Sequence, residues 1–170
     1  MNKIIVIGCP GVGKTTFAKE LAKKTNLPLV HLDYHYYDLP KNYHNDKDAW
    51  KNLVRSLVAK DRWIIEGNYK STFDVRLPAA DTIIFFDYPR SVAMWRALKR
   101  RIQYRNKLRT DMPAGWKEKL DLDFVKFIWN FNASVKPIIH ALLSQYKDQK
   151  TVIVLNTPKE TRALLRSLND

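Results

Sequence analysis

Residues 8–15 read Gly8-Cys9-Pro10-Gly11-Val12-Gly13-Lys14-Thr15, and the fold turns on this octapeptide. It meets the spacing G-x-x-x-x-G-K-[ST] at every fixed position, the pattern of a loop that cradles phosphate. Its surroundings agree. Lys3–Ile7 (KIIVI) is a short β-branched run suited to a buried strand, and Thr15–Lys24 carries helical spacing directly after the loop. Strand, glycine-rich turn and helix form the setting such a loop requires. The turn aims successive backbone N–H groups inward, and together with the positive helix end they make a concave anion site. Gly8, Gly11, Val12, Gly13, Lys14, Thr15 and Thr16 are its candidate residues. Lys14 would reach the β- and γ-phosphates of a nucleoside triphosphate, and the Thr15 hydroxyl would ligate Mg²⁺. Cys9 has no neighbouring base and reads as a small loop residue rather than a nucleophile.

Outward from the loop, the whole chain bounds the answer. Its 170 residues allow one sizeable core. The single cysteine excludes an intramolecular disulfide and suits a reducing cytosol. The first strand begins at Lys3, so the reading includes no signal peptide. No apolar run approaches the ~18–20 residues of a membrane span. The chain is therefore expected to be cytoplasmic, away from membranes, and a monomer or weak homodimer. Net charge is +13. Residues 90–119 concentrate it, with ten Lys/Arg against two acids. Such a cluster needs an anionic partner or a solvated face, and nucleotide phosphates compete with a nucleic-acid backbone for that part.

Five segments read as strands: Lys3–Ile7, Leu29–Leu32, Arg62–Glu66, Thr82–Phe86 and Thr151–Leu155. Helical stretches alternate with them at Thr15–Lys24, Lys47–Ala59, Ser91–Arg105, Asp121–Tyr146 and Pro158–Leu168. Alternation predicts a parallel sheet with helices on both faces and chemistry at the carboxyl ends of the strands. The long stretch from Asp121 has apolar residues at three- and four-residue spacing, including Ile128, Trp129, Ile138 and Ile139, and reads as core. Pro137 should kink it.

Each later strand ends in something chemical. The second runs into Asp33, which would take a proton from an acceptor hydroxyl or act as a turn residue. The aromatic residues Tyr34, Tyr36 and Tyr37 behind it would line a pocket or simply pack. The third ends Trp63-Ile64-Ile65-Glu66-Gly67-Asn68-Tyr69, so that Glu66 is placed to hold Mg²⁺ and Asn68 to orient a ligand group. The fourth ends at Asp87, a rival for the metal role. After Pro89, Arg96 and Arg100 fall on one helix face, where two guanidiniums suit phosphate clamping. Arg105 and Arg109 lead into a Pro/Gly segment that reads as an arginine-bearing flap.

These motifs, in this order, resemble the adenylate-kinase-like P-loop kinases, above all at Asp81–Arg90 followed by Arg96 and Arg100-Arg101. Within that group the chain looks most like the family of DNA topology modulation proteins, the FlaR type. The resemblance rests on Leu32-Asp33, Trp63–Tyr69, Arg76-Leu77-Pro78, Arg109–Met112 and the helix containing Trp129. It implies an α/β three-layer P-loop NTPase fold, a parallel five-stranded sheet with helices on both faces and a helical lid. The implied organisation is a single domain over 1–170, with 102–120 as a mobile lid and 33–60 as the acceptor side. The resemblance favours Glu66 over Asp87 for the metal, because the acid–Gly pair plays that part in the group. It places adenine between the Arg96 helix and the turn at Asn156-Thr157-Pro158, and Arg76 against an anionic part of the acceptor. Lys14, Asp33, Arg96, Arg100, Arg105 and Arg109 become the catalytic candidates. Two features depart from the pattern: Glu stands at position 66 where that family often has Asp, and no arginine lies between Leu29 and Trp50. The implied activity is transfer of the γ-phosphoryl group of ATP, with Mg²⁺, to a nucleoside, nucleotide or sugar-like acceptor. The alternative, motivated by the +13 charge and the family name, is a nucleotide-regulated DNA-binding protein. The chain carries no helix-turn-helix, zinc or RNP signature in its support.

Overall fold

The computed structural model describes residues 1–40, 46–104, 113 and 121–168. In chain order the elements are β1 (Lys3–Gly8), α1 (Lys14–Thr25), β2 (Leu29–His31), α2 (Leu32–Asp38), α3 (Lys47–Val58), β3 (Trp63–Glu66), a 3₁₀ turn (Lys70–Thr72) and α4 (Phe73–Ala79). They continue with β4 (Thr82–Phe86), α5 (Arg90–Gln103), α6 (Leu122–Ser134), α7 (Lys136–Tyr146), β5 (Thr151–Leu155) and α8 (Pro158–Arg166). Among the described residues the five strands form one sheet in the order β2-β3-β1-β4-β5, and every pairing is parallel.

The apolar runs explain the sheet's middle. Ile4, Ile5, Val6, Ile64, Ile65, Ile83 and Phe85 are buried on both faces, as strands covered by helices must be. The chain steps from β1 to the β2 edge and then back through β3 to β4 and β5. Right-handed crossovers then place α1 on one face and the segments leading through β3 to β5 on the other. Helix α8 returns to pack beside α1. The carboxyl end of β1 lies between those of β3 and β4, at a topological switch point where α/β sheets bind ligands.

Three elements differ from the sequence reading. The long helix from Asp121 is two helices, not one kinked helix. Val135 sits between them, and Pro137 lies in the first turn of α7. A proline there loses no helix hydrogen bond, so it starts a helix rather than bending one. The apolar stripe is only partly core: Ile128, Phe131, Ile139 and Leu143 are buried, whereas Leu122, Trp129 and Ile138 are exposed. Trp129 instead carries the Arg90 guanidinium 4.1 Å above its ring. Two short helices, α2 and α4, depart from the sequence reading, because each spans seven residues, about two turns, too few to establish an apolar period.

Asp81 staples the sheet's amino edge. Its carboxylate accepts from the backbone N–H groups of Asn2 at 2.6 Å and Lys3 at 2.9 Å and from the Thr82 hydroxyl at 2.7 Å. Burial alone would raise its pKa, but those donors outweigh it and hold the carboxyl below its ordinary value. A depressed pKa contributes stability above the unfolded-state value, and that stability fades as pH falls through the folded-state value. Asp81→Asn is therefore expected to cost about 1 kcal/mol at neutral pH, discounted for its exposure. The gap to wild type should close in acid. Urea unfolding across pH 2–7 checks this, and a gap that persists at low pH would contradict it.

Candidate active site

The phosphate loop is shaped by what it packs against. Gly13 ends it at φ 98, ψ 19 and opens α1, a left-handed backbone that glycine adopts without strain. Gly11 is pressed on α5: a Cβ there would lie 2.4 Å from the Ala93 carbonyl oxygen. Ala93 and Ala97 are small and buried, which lets α5 approach so closely. From the same helix Arg96 donates to the Val12 carbonyl and lies 5.4 Å from the Tyr88 ring centre. The Tyr88 hydroxyl in turn meets that of Thr161 on α8, 2.5 Å away.

Lys14 donates to the Cys9 carbonyl at 3.1 Å, inside the loop. Burial pulls its pKa down, opposed by the charges of Glu66 and Asp33. Burial pushes the Cys9 thiol up to about 11, so it stays protonated and has no nucleophilic character at neutral pH.

Thr15 and Glu66 meet across β1 and β3. The Thr15 hydroxyl donates to Glu66 Oε1 at 3.0 Å, and His31 Nδ1 reaches the same oxygen at 2.9 Å. Parallel register makes this contact, since His31 of β2 pairs directly with Glu66. Mg²⁺ usually takes one or two protein oxygens and fills its octahedron with water and phosphate oxygens. A hydroxyl beside a buried carboxylate fits that demand. Among the described residues no cluster of three His, Cys, Asp or Glu side chains forms a metal cage, and Mg²⁺ needs none.

Asp87 is not placed for this role. It is paired with Lys136 at 2.7 Å and His140 at 3.0 Å, both on α7. Its carboxylate ties β4 to that helix.

Arg76 requires a correction. It was expected to bind an anionic part of the acceptor, but it is fully buried and its donors are spent internally. Its Nε donates to the Thr72 hydroxyl at 2.9 Å, Nη1 to the Gly67 carbonyl at 3.0 Å, and Nη2 to the carbonyls of Asn68 and Tyr69. Burial lowers its pKa to about 9, still charged at neutral pH. The guanidinium clamps residues 67–69, and Tyr69 is held at a positive φ of 26°. Asn68 is also engaged: its Oδ1 accepts from the Gly8 N–H at 3.0 Å, bracing the phosphate loop against β3. Its Nδ2 is buried without a hydrogen-bond partner among the described residues.

One cavity of about 1210 Å³ joins these parts. Gly11, Val12, Gly13, Lys14, Thr15, Thr16, Asp33, Glu66, Asn68, Arg96, Arg100 and Pro158 all line it. Asn156, expected beside adenine, is exposed and not part of the lining; its N–H donates to Glu160 Oε2 at 2.8 Å within the start of α8. Thr161, Arg162 and Leu165 line that end instead. On the other side Tyr37 and Tyr69 stand with Asp33. Tyr36, Trp50 and Tyr69 pack ring on ring, with centroids 4.9–5.2 Å apart, so part of the aromatic run is structural. Arg105, Arg109 and most of the expected lid at 102–120, together with residues 41–45 of the acceptor side, fall outside the described residues. His31, Tyr88 and Arg162 were missed. Their roles depend on strand order and helix placement, which no local pattern encodes.

Parallel strands in the order 2-3-1-4-5 around such a loop define an α/β P-loop kinase fold. A family model for the AAA domain matches residues 4–112, and the chain belongs to that family. Among solved structures it is similar to shikimate kinase from Bacteroides thetaiotaomicron, with 17% identity, 97% of this chain and 94% of that one covered, and a TM-score of 0.61. A shikimate kinase from Acinetobacter baumannii in complex with shikimate gives 11% identity over 99% and 90% of the chains, TM-score 0.64. A gluconokinase from Sinorhizobium meliloti gives 12% over 98% and 89%, TM-score 0.55. No curated protein sequence matches significantly. None of the described helices is long and apolar enough to cross a membrane.

The contrast between the two carboxylates is measurable. Glu66→Gln should raise the Mg²⁺ concentration for half-maximal ATP binding on the order of 10-fold, as changes around a metal site do. Asp87→Asn should leave it unchanged. Calorimetric titration reads both, and the opposite ranking would return Asp87 to the metal.

Proposed function

We propose that this protein is an ATP-dependent kinase that transfers the γ-phosphoryl group to a hydroxyl of a small-molecule acceptor. The observation that carries this reading is the shared cavity. Lys14, Thr15 and Glu66 line it together with Asp33, whose carboxylate is near enough to raise the Lys14 pKa. A pure hydrolase needs no second compartment, and this cavity has room for an acceptor beside a nucleotide. Similarity in fold to kinases whose names specify shikimate and gluconate supports the reaction class and leaves the acceptor open.

The chain's residues divide the work. Loop N–H groups and Lys14 hold the β- and γ-phosphates, and Arg96 and Arg100 bring positive charge from α5 to the phosphoryl group in transit. Mg²⁺, held by Thr15 with Glu66, would neutralise phosphate charge when bound. The acceptor oxygen forms a bond to the γ-phosphorus as the bond to the β,γ-bridging oxygen breaks. ADP departs, and the hydroxyl proton passes to Asp33. Arg105 and Arg109 would close over the phosphates from the lid. DNA binding is the second reading, and it is weaker because Arg96 and Arg100, from the most basic stretch, line the nucleotide cavity.

Nucleosides, nucleotides and sugars, each offered with ATP·Mg²⁺ and scored for ADP and a phosphorylated product, test this. Lys14→Ala should lose roughly 10²-fold or more in rate, the scale of one preorganised donor. Asp33→Asn should lose ~10²–10⁴-fold while keeping nucleotide affinity. Turnover of ATP with no acceptor phosphorylated, or an Asp33→Asn variant at full rate, would overturn the scheme.

A further inference from the structure

Side chains from separate elements meet at one carboxylate oxygen. His31 ends β2, Glu66 ends β3, and Thr15 lies in the first turn of α1. Register pairs His31 with Glu66, so their side chains leave the sheet on the same face. Nδ1 of His31 lies 2.9 Å from Glu66 Oε1, and the Thr15 hydroxyl reaches that oxygen at 3.0 Å. The His31 side chain is 16% exposed and that of Glu66 5%, so water competes little for these contacts. Thr15 and Glu66 line the nucleotide cavity, whereas His31 is not part of the lining. Whatever His31 does for a bound nucleotide, it does through Glu66.

Resting on the reading of Thr15 and Glu66 as the pair that holds Mg²⁺, we propose that His31 is a positioning residue for that ion. Its Nδ1–H holds the Glu66 carboxylate against the Thr15 hydroxyl and thereby sets the affinity for the Mg²⁺–nucleotide complex. An ionised carboxylate only accepts, so the hydrogen of the contact sits on Nδ1. Mg²⁺ takes oxygen ligands, which puts the imidazole behind the carboxylate rather than on the ion. A free glutamate side chain samples many rotamers. Here donors arriving from β2 and from α1 confine it at a single oxygen. The Thr15 hydrogen is committed to the carboxylate, so the lone pairs of that hydroxyl remain for a cation. The bond from His31 also draws some charge from the carboxylate, so its benefit to the metal is geometric. Partners of this kind, placed behind a metal ligand, typically change metal affinity ~10–100-fold when removed.

Leu and Asn at position 31 separate this role from a merely structural contact. Asn carries an N–H the same number of bonds from the backbone as Nδ1, while Leu has nearly the same shape and donates nothing. Calorimetric titration of the full chain with ATP is run in saturating Mg²⁺ and again in EDTA. His31→Leu should weaken binding on the order of 10-fold in Mg²⁺ and leave it unchanged in EDTA, as loss of a partner behind a metal ligand does. His31→Asn should restore the affinity in Mg²⁺. A Leu variant that binds like wild type in Mg²⁺, or that loses equally in both conditions, overturns the inference, as does an Asn variant as weak as the Leu one. If the Leu variant does not fold, nitrogen NMR of the wild-type imidazole in the Mg²⁺·ATP complex decides. A hydrogen on Nδ1 upholds the inference, and a hydrogen on Nε2 alone overturns it. Each of these failures leaves the metal pair and the kinase reading standing. Failure of the metal reading has its own signature: wild-type ATP binding is then indifferent to Mg²⁺, and the role of His31 falls with it.

Discussion

A carboxylate buried at the carboxyl edge of a parallel sheet organises this molecule. Glu66 is only 4% exposed, and a buried charge is costly unless its lone pairs find donors. Its donors come from separate parts of the chain: His31 from the end of β2 and the Thr15 hydroxyl from the start of α1. Both can reach it only because β3 lies between β2 and β1. The sheet order is thus a condition for satisfying Glu66. Among the described residues both donors reach the same oxygen, Oε1.

A second buried charge stands one loop away. Arg76 draws the carbonyls of residues 67–69 inward, and the same loop presents Asn68 to Gly8 and Tyr69 to Asp33. The phosphate loop and the surroundings of Asp33 are therefore braced from a common point.

The phosphate loop was legible because all of its chemistry lies in eight consecutive residues whose backbone shape glycine encodes. The five strands were legible because apolar, β-branched runs bounded by turns have few other uses. What stayed hidden depends on register or on burial. His31 occupies a strand end that was plainly visible, yet its partner is set by pairing of β2 with β3. Arg76 carries the residue type of an anion binder, and only its complete enclosure reveals a clamp. Asp87 and Glu66 are both acids ending hydrophobic strands. They are told apart by Lys136 and His140, some fifty residues downstream. Pro137 marked a break correctly in place, but residue type alone could not distinguish a kink from a new helix.

The contact of Gly11 with α5 adds a constraint on how the site works. Because the loop rests on Ala93 and Ala97, α5 cannot shift without moving the phosphate cradle. Arg96 bonds the Val12 carbonyl and borders Tyr88, whose hydroxyl meets Thr161 at the other end of the cavity. The wall that would receive the base and the loop that would receive the phosphates thus share one packed chain of side chains. Packed contacts of this kind rearrange between discrete states rather than deform gradually. The α8 end of the cavity is for that reason mechanically connected to the phosphate loop. Asn68, just after β3, makes a separate tie to Gly8, the first residue of the same loop, so contacts from β3 and from α5 converge on that loop.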